Sequence, residues 1–258
     1  MNIKVFIASH KLYPNVEKYI DDSYQFIQTG KHGKPEIPNF LSDDGKDLIS
    51  EKNPNYSELT ALYYIWKKTS YDVVGLIHYR RLFSNKRFSI FSYQGLKKEK
   101  IETILSSYDA ILPLRPRLRV NMRTNYQRNH FIKDLDLTRE IVSNMFPDYL
   151  ESFDQFLNSN RPYLYNMFIM KKELLNQYCE FLFPILFELE KQVDLKAYDD
   201  YQKRLFGFIS ERLFNVWVLK ENIKVKEVPV IEIERKPYIE FIKGIARKIF
   251  GANGDVKR

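Results

Sequence analysis

The segment VVGLIHYRR, residues 73–81, constrains the fold more than any other part of the chain. It begins with an apolar run that is typical of a buried strand. The run ends in His78, Tyr79, Arg80 and Arg81. Core packing does not require a histidine and two arginines at a strand end, whereas fixed positive charge suits an anionic ligand. The segment therefore predicts a buried strand that delivers an anion-binding site at its carboxyl end.

Strands and amphipathic helices alternate along the rest of the chain, which predicts an α/β sheet flanked by helices. Ile3 to Ala8 is a second apolar strand, and Ser9, His10 and Lys11 follow at its carboxyl end, where ligands bind in open α/β sheets. Residues 30–55 are predicted to be a long functional loop. Further strands are predicted at 109–112, 165–170 and 225–233. Helices are predicted at 55–68, 96–105, 135–156 with a break near Pro147, 172–192 and 206–221. A loop or irregular helix is predicted at 114–130. Pro229 places the last strand at a sheet edge.

The composition narrows the class of protein. The chain has 258 residues and one cysteine, Cys179, which excludes an internal disulfide, and its four scattered histidines give no zinc-ligand spacing. A net charge of +8 favours an anionic partner, but no nucleic-acid-binding motif is present. The chain contains no run of about 18 apolar residues, so no membrane span is predicted. The first residues do not resemble a signal peptide. We therefore expect a cytoplasmic protein.

The last segment, residues 237–258, is predicted to be a tail that is separate from a domain of residues 1–236. Residues 238–250 have the pattern of a basic amphipathic helix, which can lie in a membrane interface or dock on the domain. Its cationic flank favours the inner membrane surface, with the protein held there peripherally. The apolar face holds Ile242, Ile245, Ala246, Ile249 and Phe250, and the other face holds Lys243, Arg247 and Lys248.

Several blocks of sequence together resemble a bacterial family found in capsular and exopolysaccharide gene clusters. They are SEKNPNYSELTALYYIWK (50–67), GLIHYRRLF (75–83), YDAILP (108–113), YLYNMFIMKKELLNQYCEFLFPILFELEK (163–191) and RLFGFISERLFNVWV (204–218). That family was first labelled only as a domain of unknown function, and its members are regarded as glycosyltransferases, some linked to galactofuranose transfer. The resemblance extends from Ile3 to about Lys236.

The resemblance implies a single nucleotide-sugar-binding domain of the GT-A type, with a mixed, mostly parallel sheet flanked by helices. It implies transfer of a sugar from a UDP-sugar to a growing capsular or lipid-linked glycan. Inverting chemistry is expected, with retaining chemistry as the open alternative. Two other functions stay open. A non-catalytic protein that binds a nucleotide sugar or a glycan would keep the same arginines and aromatic residues, and the positive charge alone would also suit a nucleic-acid-binding protein.

Many glycosyltransferases of this layout carry an Asp-x-Asp pair after a central strand, where it holds a divalent metal against the donor diphosphate. The strand at 72–77 has the matching position here, but it is followed by His78, Tyr79, Arg80 and Arg81 and by no acidic pair. Arg80 or Arg81 is therefore expected to replace the metal and stabilise the departing diphosphate. The alternative is that these arginines pair with acidic residues elsewhere. For His78 the alternative to a ligand contact is a bond to a backbone carbonyl.

Two segments before the strand hold further candidates. In the long loop, Asp43, Asp44 and Asp47 could bind a divalent cation such as Mn²⁺ or Mg²⁺, contact sugar hydroxyls, or only form solvated Asx turns. The helix that follows could face a phosphate with its N-terminus. Candidate donor-binding residues are Ser9, His10, Lys52, Asn53, Glu58, His78 and Tyr79, with Asn55 or Ser57 as helix cap.

Two residues of the later blocks complete the predicted site. Asn166 stands before an apolar strand, where similar enzymes bond sugar hydroxyls, and its alternative is to close a turn. Glu211 lies early in a late helix and is the predicted general base, which takes the proton of the acceptor hydroxyl. Asp44 is the rival base. The alternative for Glu211 is a salt bridge to Arg212 or Arg204.

Overall fold

The structure is a computed structural model that describes residues 1–13, 16–84 and 94–233. Its main sheet has seven strands in the order β3-β2-β1-β4-β7-β6-β8. These strands are β1 (Ile3–Ser9), β2 (Tyr24–Gln28), β3 (Leu41–Ser42), β4 (Val73–His78), β6 (Ala110–Pro113), β7 (Phe168–Lys171) and β8 (Val225–Val228), and a second sheet pairs β5 (Arg81–Phe83) with β9 (Val230–Glu232). The predicted tail at 237–258 lies outside the described residues.

The predicted mixed, mostly parallel α/β sheet is confirmed. β1 is parallel to β2 and β4, β2 is parallel to β3, and β6 is parallel to β8. β7 is antiparallel to both of its neighbours, β4 and β6. The carboxyl ends of β1 and β4 therefore lie side by side at one edge of the sheet, with Ala8 paired to His78.

Eight α-helices are present in the described residues, and they cover the sheet. They are α1 (Asn53–Tyr56), α2 (Leu59–Lys68), α3 (Lys98–Leu105), α4 (Met122–Asn129), α5 (Ile132–Met145), α6 (Leu150–Asn158), α7 (Lys172–Gln192) and α8 (Leu205–Lys220). α7 has the bounds that its amphipathic pattern predicts. Among the helices of the described ranges, none is long and apolar enough to cross a bilayer.

Several local expectations are corrected. The helix predicted at 55–68 is divided into α1 and α2 by Ser57, whose φ is 54°. Neither Asn55 nor Ser57 caps α2, because the residue before it is Glu58 and no side-chain cap bond forms. The segment 114–130 contains the regular helix α4, capped by the Asn121 side chain. The strand predicted at 225–233 is two strands, β8 and β9, which separate at Pro229.

The core lies on both faces of the sheet. Phe6 and Leu76 contribute to the larger layer with α2 and α5 to α8, and Val5 and Ile77 to the smaller layer with α3. Gly75 lets β4 fit between its neighbours, since a Cβ there would lie 2.9 Å from Ile169 Cγ1 and 3.0 Å from Val5 Cγ1. The end of β4 is thus held firmly between two strands.

Cys179 belongs to the core. It is fully buried on α7, and burial raises the pKa of its thiol well above the usual value. A thiol that is kept protonated inside an apolar layer is a poor nucleophile. Cys179 is therefore a packing residue, as its apolar surroundings in the sequence indicate.

Candidate active site

A cavity of about 910 Å³ opens at the carboxyl ends of β1 and β4. The turn at 165–166 and the first turns of α8 form its other side. Most of the predicted site residues line it: Ser9, His10, Asn53, Glu58, His78, Tyr79, Arg80, Arg81, Asn166 and Glu211. Residues that were distant in sequence are therefore brought together by the sheet order, which places β1 beside β4.

Lys52 and Asp44 do not line this cavity. The Lys52 ammonium donates to both carboxylate oxygens of Glu190 on α7, at 2.8 Å each. Asp44 lies beside the exposed His32 ring, with 3.3 Å between Oδ1 and Nδ1. The expectation that Lys52 faces a phosphate is thus wrong in this structure, because an acidic partner on another helix holds its charge. A rival base would have to lie in the cavity, and Asp44 lies outside it.

Cationic side chains gather at the strand ends. His10, Lys34 and Arg80 line the cavity, and Lys11 lies beside His10. Burial lowers the pKa of His10 below its usual value of 6.5, and the positive charges of Lys11, Arg80 and Lys34 lower that pKa further. His10 is therefore neutral at pH 7, so the fixed charge of this wall comes from lysine and arginine.

Tyr79 is the support of this cationic wall. Its side chain is buried, and the His10 and Tyr13 rings pack against it with centroids 5.5 and 5.1 Å away. The Arg80 guanidinium carbon lies 5.0 Å from the centre of the Tyr79 ring. A cation over an aromatic face is attracted by the ring quadrupole. Tyr79 thus positions Arg80 and His10 at the end of β4.

Arg81 has the acidic partner that the sequence left open as an alternative. Its Nε lies 3.5 Å from Glu232 Oε1, and its guanidinium carbon lies 4.4 Å from the centre of the Tyr165 ring. The pairing follows from the second sheet, in which Arg81 of β5 is opposite Glu232 of β9. Arg81 therefore links this small sheet to the 165–166 turn, whereas the Arg80 guanidinium lies by the Tyr79 ring.

Glu58, His78 and Asn166 form a polar cluster deeper in the cavity. Asn166 Nδ2 donates to Glu58 Oε1 at 2.8 Å and to Ser210 Oγ at 3.0 Å. His78 Nε2 lies 2.7 Å from the Tyr165 carbonyl oxygen and 3.9 Å from Glu58 Oε1. Because a carbonyl only accepts, Nε2 must carry the proton of His78. The bond to a backbone carbonyl is therefore formed, and His78 also lines the cavity, so its contact with a ligand stays a prediction.

The turn that presents Asn166 has an uncommon backbone. Tyr165 and Asn166 have φ angles of 80° and 49°, so the strand predicted from residue 165 begins only at Phe168. Asparagine tolerates this left-handed region better than most residues. Asn166 therefore closes a turn, as its alternative stated, and at the same time directs its amide at Glu58.

Glu211 is the second carboxylate of the cavity. Its Oε1 accepts from the backbone N–H of Tyr165 at 2.8 Å, and its Oε2 accepts from Arg212 Nη1 at 3.0 Å. The salt bridge to Arg212 that the sequence offered as an alternative is therefore formed. Both oxygens are engaged, and Glu211 holds the 165–166 turn against α8.

Ser9 and Asn53 line the cavity but use polar atoms within their own turns. Ser9 Oγ donates to the Lys11 carbonyl at 2.7 Å. Asn53 Nδ2 donates to the Ser57 carbonyl at 2.7 Å and to Thr60 Oγ1 at 3.2 Å. These bonds shape the rim of the cavity at β1 and α1.

Asp43 is a structural carboxylate. It is fully buried and accepts from the backbone N–H groups of Gly30 and Lys31, at 2.7 and 3.0 Å, and from the hydroxyls of Ser50 and Thr60. Of the alternatives for Asp43, Asp44 and Asp47, a metal site at Asp43 is not supported, because the Asp43 oxygens already have protein donors.

The remaining donor set does not fit a divalent cation either. Within residues 1–13, 16–84 and 94–233, no group of three or more His, Cys, Asp or Glu side chains is arranged to hold a metal ion. Of the cavity carboxylates, Glu58 accepts from Asn166, Glu211 accepts from Arg212, and Glu232 forms an ion pair with Arg81. Hard cations require several oxygen ligands at one point, and the described residues do not supply them.

Several cavity residues were not predicted from the sequence as site residues, among them Lys34, Tyr201, Arg204 and Phe208. Lys34 lies in the long loop, and Arg204 and Phe208 lie in the RLFGFISER block. The sequence pointed to these two segments, but not to these residues as cavity residues. Arg204 Nε donates to Ser57 Oγ at 3.2 Å, which connects the start of α8 to the break between α1 and α2. Such a contact cannot be inferred from spacing along the chain.

A model of the family described as "Domain of unknown function (DUF4422)" matches residues 4–222. Among solved structures, the apo structure of WbbM, a bifunctional glycosyltransferase, superimposes on the chain with a TM-score of 0.82 and 30% sequence identity. The alignment covers 91% of this chain and 46% of that one, so the chain spans less than half the length of the structure it matches. No curated protein matches the chain.

Proposed function

The chain belongs to the DUF4422 family, and from that premise we propose that it is a glycosyltransferase that uses a nucleotide-diphosphate sugar. The fold it shares with part of a bifunctional glycosyltransferase supports this class of activity. The observation that carries the proposal is the cavity at the ends of β1 and β4, which is lined by the cationic Lys34 and Arg80 and by the carboxylates of Glu58 and Glu211. Such a cavity can hold an anionic leaving group and a proton acceptor within one site.

The cationic wall is proposed to bind the donor diphosphate. Arg80 and Lys34 line it, and neutral His10 between them can donate or accept a hydrogen bond. When the bond from the anomeric carbon to the phosphate oxygen breaks, its electron pair stays on the nucleoside diphosphate. Fixed positive charge where this negative charge develops stabilises the transition state. No step is assigned to a metal, because the described donor set does not fit one.

The acceptor hydroxyl must lose its proton as its oxygen attacks the anomeric carbon, and a carboxylate of the cavity is proposed to take that proton. Glu211 is the base that the sequence predicts. Glu58 is the stronger candidate on geometry. Asn166 orients its Oε1, and no described residue donates to its Oε2, whereas both oxygens of Glu211 have donors. Attack from the face opposite the diphosphate gives inversion.

The finer details rest on the family resemblance alone. A UDP donor, galactofuranose as the transferred sugar, and a capsular or lipid-linked acceptor follow from it, and contact with the inner membrane surface follows from residues 238–250. The alternative function is a protein that binds a nucleotide sugar or a glycan without turnover. It would have the same cationic wall, so only turnover separates the two.

The test is release of nucleoside diphosphate from a panel of nucleotide sugars, with and without EDTA. We expect release from one donor, undiminished by EDTA and reduced in Arg80→Ala. Arg123→Ala is the matched control, because Arg123 lies on α4 and pairs with Asp136. Binding of a donor with no release, even with capsular oligosaccharide as acceptor, would establish the binding protein instead.

A further inference from the structure

Tyr201 is a partly exposed aromatic ring on the wall of the cavity. Its exposed fraction is 42%, although large apolar side chains of the described residues are mostly buried. The Phe208 ring lies 5.1 Å from it, at the start of α8 and also on the cavity wall. We call the pair Tyr201 and Phe208 the aromatic platform. An exposed ring that is held in place costs little conformational freedom when a ligand covers it.

The platform is supported from behind by His130. The His130 ring is stacked on Tyr201 with an interplanar angle of 14° and centroids 5.9 Å apart, and it lies 4.1 Å from Phe208. His130 is buried, and the distance from its Nδ1 to Gln202 Oε1 is 3.1 Å. This support fixes the orientation of the Tyr201 ring.

The platform and the residues at the strand ends belong to different elements around the cavity. His10 and Arg80 stand at the ends of β1 and β4, whereas Phe208 and Glu211 both belong to α8. Asn166, which orients Glu58, also donates to the Gly207 carbonyl of α8 at 3.3 Å. The carboxylates therefore adjoin the platform. A hydroxyl that loses its proton to Glu58 or Glu211 must belong to a molecule on this side.

We propose that the aromatic platform is the acceptor subsite, where the apolar face of an acceptor sugar ring stacks on Tyr201. This inference rests on the proposed function. Tyrosine combines an apolar face with a polar edge, which suits a sugar ring with its axial C–H groups on one face and its hydroxyls at the rim. The Arg204 guanidinium carbon, 5.8 Å from the centre of the Phe208 ring, adds hydroxyl-binding capacity beside the platform.

The test measures sugar binding without turnover. Saturation-transfer NMR is recorded with methyl β-galactopyranoside, methyl β-galactofuranoside and UDP as separate probes. We expect transfer to at least one glycoside in the wild type, its loss in Tyr201→Ala and its retention in Tyr201→Phe, with the UDP signal equal in all three. Tyr108→Ala removes a half-buried tyrosine far from the cavity and is the matched control. Thermal unfolding confirms that each variant is folded.

Two results would overturn the proposal. Loss of the UDP signal in Tyr201→Ala with the glycoside signal intact would make the platform a nucleobase site. Absence of any glycoside signal in the wild type would remove the subsite. The proposed function is judged separately by release of nucleoside diphosphate. Where a donor is turned over, Tyr201→Ala is expected to raise the acceptor KM about tenfold, and the control Tyr108→Ala is expected to leave that KM unchanged.

Discussion

Two polar clusters flank α1 and α2, and they differ in how fully their carboxylates are satisfied. Asp43 accepts from two backbone amides and two hydroxyls and is fully buried. Glu58 accepts from Asn166 at Oε1, lines the cavity and has no donor to Oε2 among the described residues. From sequence both were candidate site carboxylates. The difference indicates that a saturated carboxylate, whose oxygens all have hydrogen-bond donors, holds the local chain in place. An unsaturated carboxylate, with one oxygen that has no donor, can still accept a proton.

The saturated cluster also shapes the cavity indirectly. The Asp43 carboxylate fixes Gly30, whose φ is 62°, and a Cβ at Gly30 would lie 2.4 Å from Asn53 Oδ1. Asn53 in turn bonds the Ser57 carbonyl at the break before Glu58. The saturated cluster around Asp43 thus sets the position of the unsaturated cluster around Glu58.

The largest expected effect is on stability, from Asp43→Ala. It leaves three buried donors and the partly buried Lys31 N–H without an acceptor, and we expect the free energy of unfolding to fall by about 3 kcal/mol. Thermal unfolding measures this as a drop of roughly 5–10 °C. Asp44→Ala is the control and should change little, because Asp44 is half-exposed. If Asp43→Ala melts like the wild type and yet loses turnover, the distinction between the clusters is wrong.

The next effect is on turnover, from Glu58→Gln. Glutamine keeps the shape but cannot take a proton, so we expect kcat to fall at least about 100-fold with donor affinity unchanged. The melting temperature should stay near wild type. Glu211→Gln should lower the melting temperature instead, since it breaks the buried pair with Arg212. A variant Glu58→Gln with normal kcat, beside a Glu211→Gln that is folded and inactive, would return the base role to Glu211.

The two arginines after β4 should also differ, since Arg80 is expected to affect donor binding and Arg81 to affect stability. Both effects should be smaller than those of the carboxylates. Arg80→Ala is expected to weaken donor binding about tenfold through the lost phosphate contact. Arg81→Ala should lower stability by about 1 kcal/mol or less, because its pair with Glu232 is partly exposed. Calorimetric titration with UDP and thermal unfolding of both variants make the comparison. Equal loss of UDP affinity in both would place Arg81 at the diphosphate as well.

The smallest effect concerns the titration of His10. Removal of a neighbouring positive charge in Lys34→Ala should raise the pKa of His10 towards 6.5, and bound UDP should raise that pKa in the wild type. NMR titration of the His10 ring measures both shifts, with the exposed His32 resonance as control. A His10 pKa that does not respond to UDP would place the diphosphate away from the cationic wall.

The lowered pKa of His10 also makes the stability of the fold depend on pH. Between the lowered pKa and 6.5, the unfolded chain binds more protons at His10 than the folded chain does. The contribution of His10 is therefore fully present above pH 6.5 and is lost as the pH falls through that window.

The sequence predicted the elements that have one clear period. β1 and β4 are uninterrupted apolar runs, and α7 has an apolar face that repeats along its whole length. β2 and β3 were missed because they are short and include polar residues. The positive φ angles of Ser57 and Asn166 were also unreadable, since neither is glycine and only tertiary contacts hold them there.

The candidate site was predictable where a residue follows a strand, and less so elsewhere. His10 and Arg80 could be placed because the carboxyl ends of adjacent strands share one edge. Lys52 was misplaced because its partner, Glu190, is on a distant helix. Tyr201 carries no local signal, since it precedes α8 in a polar segment and reaches the cavity only through folding.

The split of the last strand at Pro229 has a practical consequence for where the chain can be cut. The family match ends at residue 222, but β8 and β9 follow it and pair with β6 and β5. A protein shortened to the matched residues would leave β6 as an open edge with unpaired amide and carbonyl groups. Open edges of this kind recruit other chains and lead to aggregation. The folding unit that can be expressed therefore extends at least to Glu232, ten residues past the boundary that sequence similarity marks.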